Sequence, residues 1–302
     1  MRYWVFWFVF NVLGRLPLRA LYLIAELMAR ASYRAAGGSR ASVIENLRHV
    51  MPPGTPDGEL ERAARQVFQN VTLYYADLAY LPRMNAQQFF DERLTVYGID
   101  ELLRPAIATG RGVIMLSAHF GNPEVVGQGL IPRGIKVFAL TEPQDPPRLS
   151  ALMDRLRSSK GHDFASVSTG SVKRVIRTLR QGGVVALMGD RDIEGPRQML
   201  PFCGEDTWMP TGPIEVALRT GAIVIPSFSY RRRRKFEAYL EAPLELKQTG
   251  DLQADARNGA LEFLERFERR LRAEPWQWAV LERVWGGEGE EQGTGEQAKL
   301  RT

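Results

Sequence analysis

Apolar residues run without a break at 113–116, between Gly112 and the segment Ser117-Ala118-His119. A short, glycine-flanked apolar run with no polar alternation predicts a strand buried on both faces, as in a parallel sheet covered by helices. Further strand-like runs fall at 135–140, 163–167, 184–188, 222–230 and 236–246, with helical spacing between them at 124–130, 148–160, 171–180 and 212–219. Upstream, helices are expected at 42–48, 57–81 and 98–108, the second with Leu60, Ala64, Val67, Phe68, Val71, Tyr74, Tyr75 and Leu78 on one face. A charged amphipathic helix is expected at 251–272. Strands alternating with helices imply right-handed crossovers and an α/β fold, a mostly parallel central sheet flanked by helices.

The chain ends depart from this alternation. Residues 3–13 and 16–29 are apolar and rich in aromatics, and Gly14-Arg15 separates them. Neither reaches the ~20 residues of a single bilayer span, and no small-residue cleavage site follows. With Arg15, Arg19, Arg30, Arg34 and Arg40 around them, they read as membrane-associated helices at the interface, or as a marginal span with its basic flank in the cytoplasm. The alternative is amphipathic helices packed on the domain. From Gly286 the chain has almost no apolar content and is expected to be disordered. The expected organisation is a membrane-anchoring segment at 1–38, one domain at 39–285 and a tail at 286–302.

Composition narrows the chemistry. Forty Lys and Arg against 35 Asp and Glu suit an anionic membrane surface as well as nucleic acid. The run Arg231-Arg232-Arg233-Arg234-Lys235 either attracts anionic headgroups or donor phosphates, or is a solvated hairpin tip; nothing around it supplies base stacking, so no nucleic-acid partner is expected. A single cysteine, Cys203, excludes an internal disulfide and a cysteine-based zinc cluster. No His-Glu-x-x-His, Gly-x-Ser-x-Gly or Walker sequence occurs, which disfavours zinc hydrolases, serine hydrolases of that type and P-loop NTPases.

His119 sits just past a strand end, followed by Gly121, the helix N-cap candidate Asn122 and Pro123 at a first helical position. Glu124, in the first helical turn, is close enough in sequence to reach back to the imidazole, fix its tautomer and make it a general base. The alternative is a core histidine beside a solvated carboxylate that favours the helix dipole. Gly189-Asp190-Arg191-Asp192 follows the 184–188 strand, on the same sheet edge as His119 if the strands are parallel. It reads as an Asp-x-Asp metal site or as a turn closed by side-chain hydrogen bonds. Arg155 closes a helix, where a solvated cation also suits the dipole, and Thr211-Gly212-Pro213 opens one, either a natural anion site or simply the Pro and Gly of a helix start.

Taken together, these residues resemble the bacterial lysophospholipid-type acyltransferases of the lipid A and phosphatidylinositol mannoside branch. His119 and Glu124 match the family's His-x4-Asp/Glu motif, Arg155 its Arg-x-Arg-Ser-x-Lys helix end, and Asp190 its Asp-x-Asp. Pro201-Phe202-Cys203-Gly204, Thr211-Gly212-Pro213, Ile223-Val224-Ile225-Pro226 and the Trp-rich stretch at 275–285 match later blocks. Cys203 departs from the usual aromatic. The resemblance implies a glycerolphosphate-acyltransferase-like fold and transfer of a fatty acyl group from acyl-CoA or acyl carrier protein to a hydroxyl of a membrane glycolipid. His119 is then the base and Glu124 its support. Arg155, Asp190, Arg191 and Thr211 are substrate-binding candidates, with no metal and no cofactor beyond the thioester co-substrate. The expected place is the cytoplasmic face of the bacterial plasma membrane. A thioester or lipid hydrolase using the same pair, and a non-catalytic lipid-binding protein, are the competing functions.

Overall fold

Seven strands form one sheet in the order β1-β9-β8-β2-β5-β3-β4, in a computed structural model that describes residues 2–191 and 195–286. Asp192 and the expected tail beyond Gly286 lie outside the described residues. The strands are β1 (Leu94–Tyr97), β2 (Val113–Ser117), β3 (Val137–Thr141), β4 (Asp163–Ser166), β5 (Val184–Met188), β8 (Ile223–Arg232) and β9 (Lys235–Leu240). All neighbours pair parallel except β8 with β9. Both faces are covered, which is why β2 reads as a continuous apolar run. Ile114 and Leu116 join Val185, Leu187 and Val224 in one core cluster, while Val113 joins Val184 and Ile225 in another on the opposite face.

The first cluster is closed by α9 (Thr169–Arg180), α10 (Gly212–Thr220) and α11 (Leu252–Ala273), through Val175, Ile214 and Phe263 among others. The second is closed by α6 (Arg104–Ala108) and the π-helical turn Ile99–Leu103 before it. Around these lie α5 (Ala86–Arg93), α7 (Pro123–Gly127) and α8 (Pro147–Arg157). A separate antiparallel pair, β6 (Arg197–Phe202) and β7 (Glu205–Pro210), turns at Cys203 and Gly204, both at positive φ. Neither this hairpin nor β1 was expected from the sequence. His162 is structural: its Nδ1 accepts from the Val137 N–H at 3.1 Å and its Nε2–H donates to the Gly127 carbonyl at 2.8 Å.

The N-terminal quarter is helical: α1 (Arg2–Asn11), α2 (Leu18–Ala35), α3 (Gly37–Val50) and α4 (Asp57–Tyr80). Among the described residues no helix is long and apolar enough to cross a membrane. The inner side of α2 (Leu21, Tyr22, Ala25) packs on Leu73 and Ala76 of α4, and Tyr22 donates to Asp77 at 2.6 Å. On α1, Phe6 and Phe10 face the domain, with Phe6 stacked obliquely on Tyr75 at 5.4 Å. The outer sides differ. Trp4, Val5 and Phe8 of α1, and Leu23, Leu27 and Met28 of α2, are 46–65% exposed. The helices thus pack on the domain and also present an exposed apolar face.

The basic run is less free than its composition implies. Arg231 is buried and ion-paired with Asp77, which also accepts from Asn122 at 2.9 Å. Arg232 binds Glu274 at 2.6 Å and Glu237 at 3.0 Å. Only Arg233, Arg234 and Lys235 remain exposed, at the tip between β8 and β9. The alternating inward positions of β8 continue into the basic run and carry Arg231 into the interior.

Candidate active site

β2 and β5 are adjacent and parallel, and Ser117 lies opposite Met188. Each strand then continues two residues beyond that pair to a polar side chain, His119 from one and Asp190 from the other. The Gly189 N–H donates to the Ser117 carbonyl at 2.9 Å and carries the ladder past the strand ends. His119 Nδ1 and Asp190 Oδ1 are 2.9 Å apart. The His119 backbone N–H donates to Oδ2 at 3.0 Å, and the Trp278 indole N–H donates to the same oxygen at 2.8 Å. Gly121 permits the turn that follows: its φ is +68°, and a Cβ there would lie 2.3 Å from the Ser229 carbonyl oxygen. The Asn122 side chain then caps α7, accepting from Val125 N at 3.1 Å, with Pro123 at the first helical position.

Asp190 is fully buried, whereas the His119 side chain is 31% exposed. Burial alone would raise the carboxyl pKa of Asp190. The His119 charge, its side-chain hydrogen bond, the Trp278 indole and the His119 backbone N–H outweigh burial and hold it below the ordinary value. A charged carboxylate at Nδ1 accepts only from Nδ1–H, so the neutral imidazole presents Nε2 as a lone pair. Among the described residues Nε2 has no protein hydrogen-bond partner. The arrangement fixes the tautomer and leaves Nε2 as the nitrogen with the free lone pair.

This corrects the partner read from sequence. The carboxylate on the imidazole belongs to Asp190, and Glu124 instead accepts from Arg157 Nε at 2.8 Å. Arg157 also donates to the Tyr74 hydroxyl at 3.2 Å and lies 3.6 Å from Asp154. Burial would lower the Arg157 pKa, but Glu124 and Tyr74 hold it well above the usual value; burial first, then the Glu124 charge, drive Tyr74 up. Sequence reasoning missed Arg157 and chose Arg155, which is exposed on the outer side of α8. The signal was available in the helical spacing. Leu149, Met153 and Leu156 mark the inner face of α8, and 157 borders that face, about 70° from its centre, while 155 lies about 130° from it.

The other candidates are placed as follows. Asp190 spends both oxygens on His119 and Trp278 and has no surface left for a ligand. Arg191 is ion-paired with Glu142 and Glu282, which ties the C-terminal stretch to the loop after β3. Thr211 is fully buried and donates to Glu215 at 3.2 Å, inside the start of α10. Neither Ser117 nor Cys203 is a free nucleophile. The Ser117 hydroxyl donates to the Ser227 carbonyl at 2.8 Å, and burial, then the Glu268 charge, push the buried Cys203 thiol up to about 12.

The Glu124 and Arg157 side chains are only 15% and 8% exposed, so removing one partner strands a buried charge at a cost of ~3–5 kcal/mol. Glu124→Leu and Arg157→Leu should each lose about that much in denaturant unfolding, and the double variant should lose less than either. Additive losses would show that the pair is not coupled.

Residues 1–286 match the family described as bacterial lipid A biosynthesis acyltransferase. Two phosphatidylinositol mannoside acyltransferases of Mycobacterium tuberculosis, from strains CDC 1551 / Oshkosh and ATCC 25618 / H37Rv, are each 27% identical over 260 residues, covering 84% of this chain and 80% of theirs. That of Mycolicibacterium smegmatis is 26% identical over 262 residues, 85% of this chain and 83% of its own. A mostly parallel sheet presenting a carboxylate-held histidine at the carboxyl ends of its strands, and a match along nearly the whole described chain, make this protein an acyl-transferring enzyme that belongs to the bacterial lipid A biosynthesis acyltransferase family.

Proposed function

We propose that the protein moves a fatty acyl group from a thioester, acyl-CoA or acyl carrier protein, to a hydroxyl of a phosphatidylinositol mannoside, with His119 as general base. The observation that carries this reading is the His119 imidazole, held at Nδ1 by a buried carboxylate while its side chain is 31% exposed. Nε2 takes the proton as the acceptor oxygen attacks the thioester carbonyl. The tetrahedral intermediate then collapses, the C–S bond breaks, and the proton passes to the departing sulfur. An alcohol attacks directly in this scheme, in keeping with the hydrogen-bonded Ser117 and the buried Cys203. The names of the three relatives favour the mannoside acceptor, and the family description supports a lipid A precursor as the second reading.

The acceptor is a bilayer lipid, and the exposed apolar face of α1 and α2 supports docking on the cytoplasmic face of the plasma membrane. Trp and Phe on a helix with exposed Arg15, Arg19, Arg30 and Arg34 nearby suit an anionic interface. The domain has no need of a separable anchor for this, because α2 is built into the helical layer through Tyr22 and Asp77.

The test supplies acyl-CoA with a labelled chain and, in anionic vesicles, either phosphatidylinositol mannoside or a lipid A precursor. Label should appear in the glycolipid. Label released as free fatty acid would identify a hydrolase, and no turnover with either acceptor would leave a lipid-binding protein. A Trp4→Ser, Trp7→Ser, Phe8→Ser variant should lose about 10-fold or more in transfer to vesicle-borne acceptor, while serving detergent-dispersed acceptor normally. Equal vesicle activity in that variant rejects the docking face.

A further inference from the structure

Trp278 stands 88 residues from Asp190 in sequence and donates its indole N–H to that carboxylate at 2.8 Å. We infer that Trp278 is a positioning residue for the His119 and Asp190 pair, carried on a C-terminal strap that forms the floor of the active site. The inference rests on the reading of His119 as the base. The strap runs antiparallel to the histidine loop. Ala279 N–H donates to the His119 carbonyl at 2.7 Å, Gly121 N–H donates to the Gln277 carbonyl at 2.8 Å, and Phe120 and Trp278 form a bridge between them. The backbone on both sides of Phe120, directly after the histidine, is thus held by the residues on both sides of Trp278.

The strap is fixed in turn by the N-terminal helices. Asn70 of α4 donates to the Trp276 carbonyl at 2.8 Å. Asn46 of α3 donates to the Glu282 carbonyl at 2.7 Å and accepts from Val284 N–H at 3.0 Å. Both asparagines are buried and bond only backbone of the strap in these contacts. The indole itself is 3% exposed, edge-on to Phe202, Phe267 and Trp285 with centroids 5.9–6.1 Å away. It has no freedom to turn, so its N–H is a fixed donor.

That donor has a geometric consequence. Asp190 Oδ2 receives two N–H groups, from His119 backbone and from Trp278, while Oδ1 faces Nδ1. Two fixed donors on one oxygen set the plane of the carboxylate and aim the other oxygen at the imidazole. With the indole donor gone, one backbone N–H remains and the plane is no longer determined. The unshared charge also shifts towards the imidazolium.

Trp278→Phe keeps an aromatic ring and removes the donor. Replacement of Trp278 by β-(3-benzothienyl)alanine puts sulfur where N–H stood and keeps the bicyclic shape, so it separates the hydrogen bond from packing even if the phenylalanine variant folds poorly. Turnover in the analogue should fall about 10-fold, as for a lost hydrogen bond to a charged group. The KM for donor should change by less than about 2-fold, and the acidic limb of the kcat/KM profile should move to higher pH by about half a unit. Wild-type kcat with an unmoved acidic limb in the analogue overturns the inference. So does a loss that appears only as lower melting temperature and a smaller active fraction. His119→Ala is measured alongside: if it stays fully active, the base reading has failed, whereas an inactive His119→Ala beside a fully active analogue overturns only the role of Trp278.

Discussion

His119→Ala is expected to lower turnover by ~10²–10⁴, the contribution of a positioned general base, with little change in the melting temperature. The side chain is 31% exposed and, among the described residues, makes one side-chain hydrogen bond, to Asp190. Water can fill the space left and bond Oδ1, so the carboxylate keeps three donors. The loop is also tied through its backbone, with Ala279 N–H donating to the His119 carbonyl and Gly121 N–H donating to the Gln277 carbonyl, and alanine retains these bonds. Donor binding should be intact, so the loss should fall in kcat. Near-normal turnover in the folded variant would falsify the base assignment.

The parts of the site that were legible in the sequence are those set by local rules. The unbroken apolar run of β2 announced a strand covered on both faces, and Asn122 and Pro123 announced the helix after it. Parallel pairing then put the 189–191 turn on the edge that carries His119. What stayed hidden depends on long-range contacts. Glu124 is five residues from His119, and proximity in sequence favoured it. Its first-turn position on α7 instead meets Arg157 arriving from α8, and a buried guanidinium demands a carboxylate more strongly than a neutral imidazole does. The strap shows the same limit. Its Trp-rich stretch was noticed, but nothing local places residue 278 against residue 190.

The missed β6 and β7 hairpin has a different cause. Its strands are half exposed and carry Pro201 and Pro210, which lower strand propensity, and its turn uses Cys203 at φ 53° before Gly204. The resemblance marked Pro201 to Gly204 as a family block, yet the reason for the block is structural: Phe202 is fully buried, stacked against Trp285 at 5.3 Å and edge-on to Trp278. It therefore supports the wall behind the indole that reaches Asp190.

Asp190→Asn should be at least as damaging as loss of the base, although it changes one atom. The amide must place one oxygen and one NH2 where Oδ1 and Oδ2 stand. Oδ2 is met by two donors, the His119 backbone N–H and the Trp278 indole N–H. An NH2 there would oppose both, so the amide turns its oxygen to that side and its NH2 to the imidazole. Nδ1 must then accept, the ring proton moves to Nε2, and the lone pair that takes the acceptor's proton is gone. A wrong tautomer in a comparable histidine and carboxylate pair costs roughly 10⁴ in kcat. Asp190→Asn should therefore keep the fold, bind donor and lose about that factor. The histidine's ring proton should be found on Nε2 by nitrogen NMR, where the wild type carries it on Nδ1. Turnover within about 10-fold of wild type, or an unchanged tautomer, would mean that Asp190 serves the packing of the loop and not the state of the imidazole.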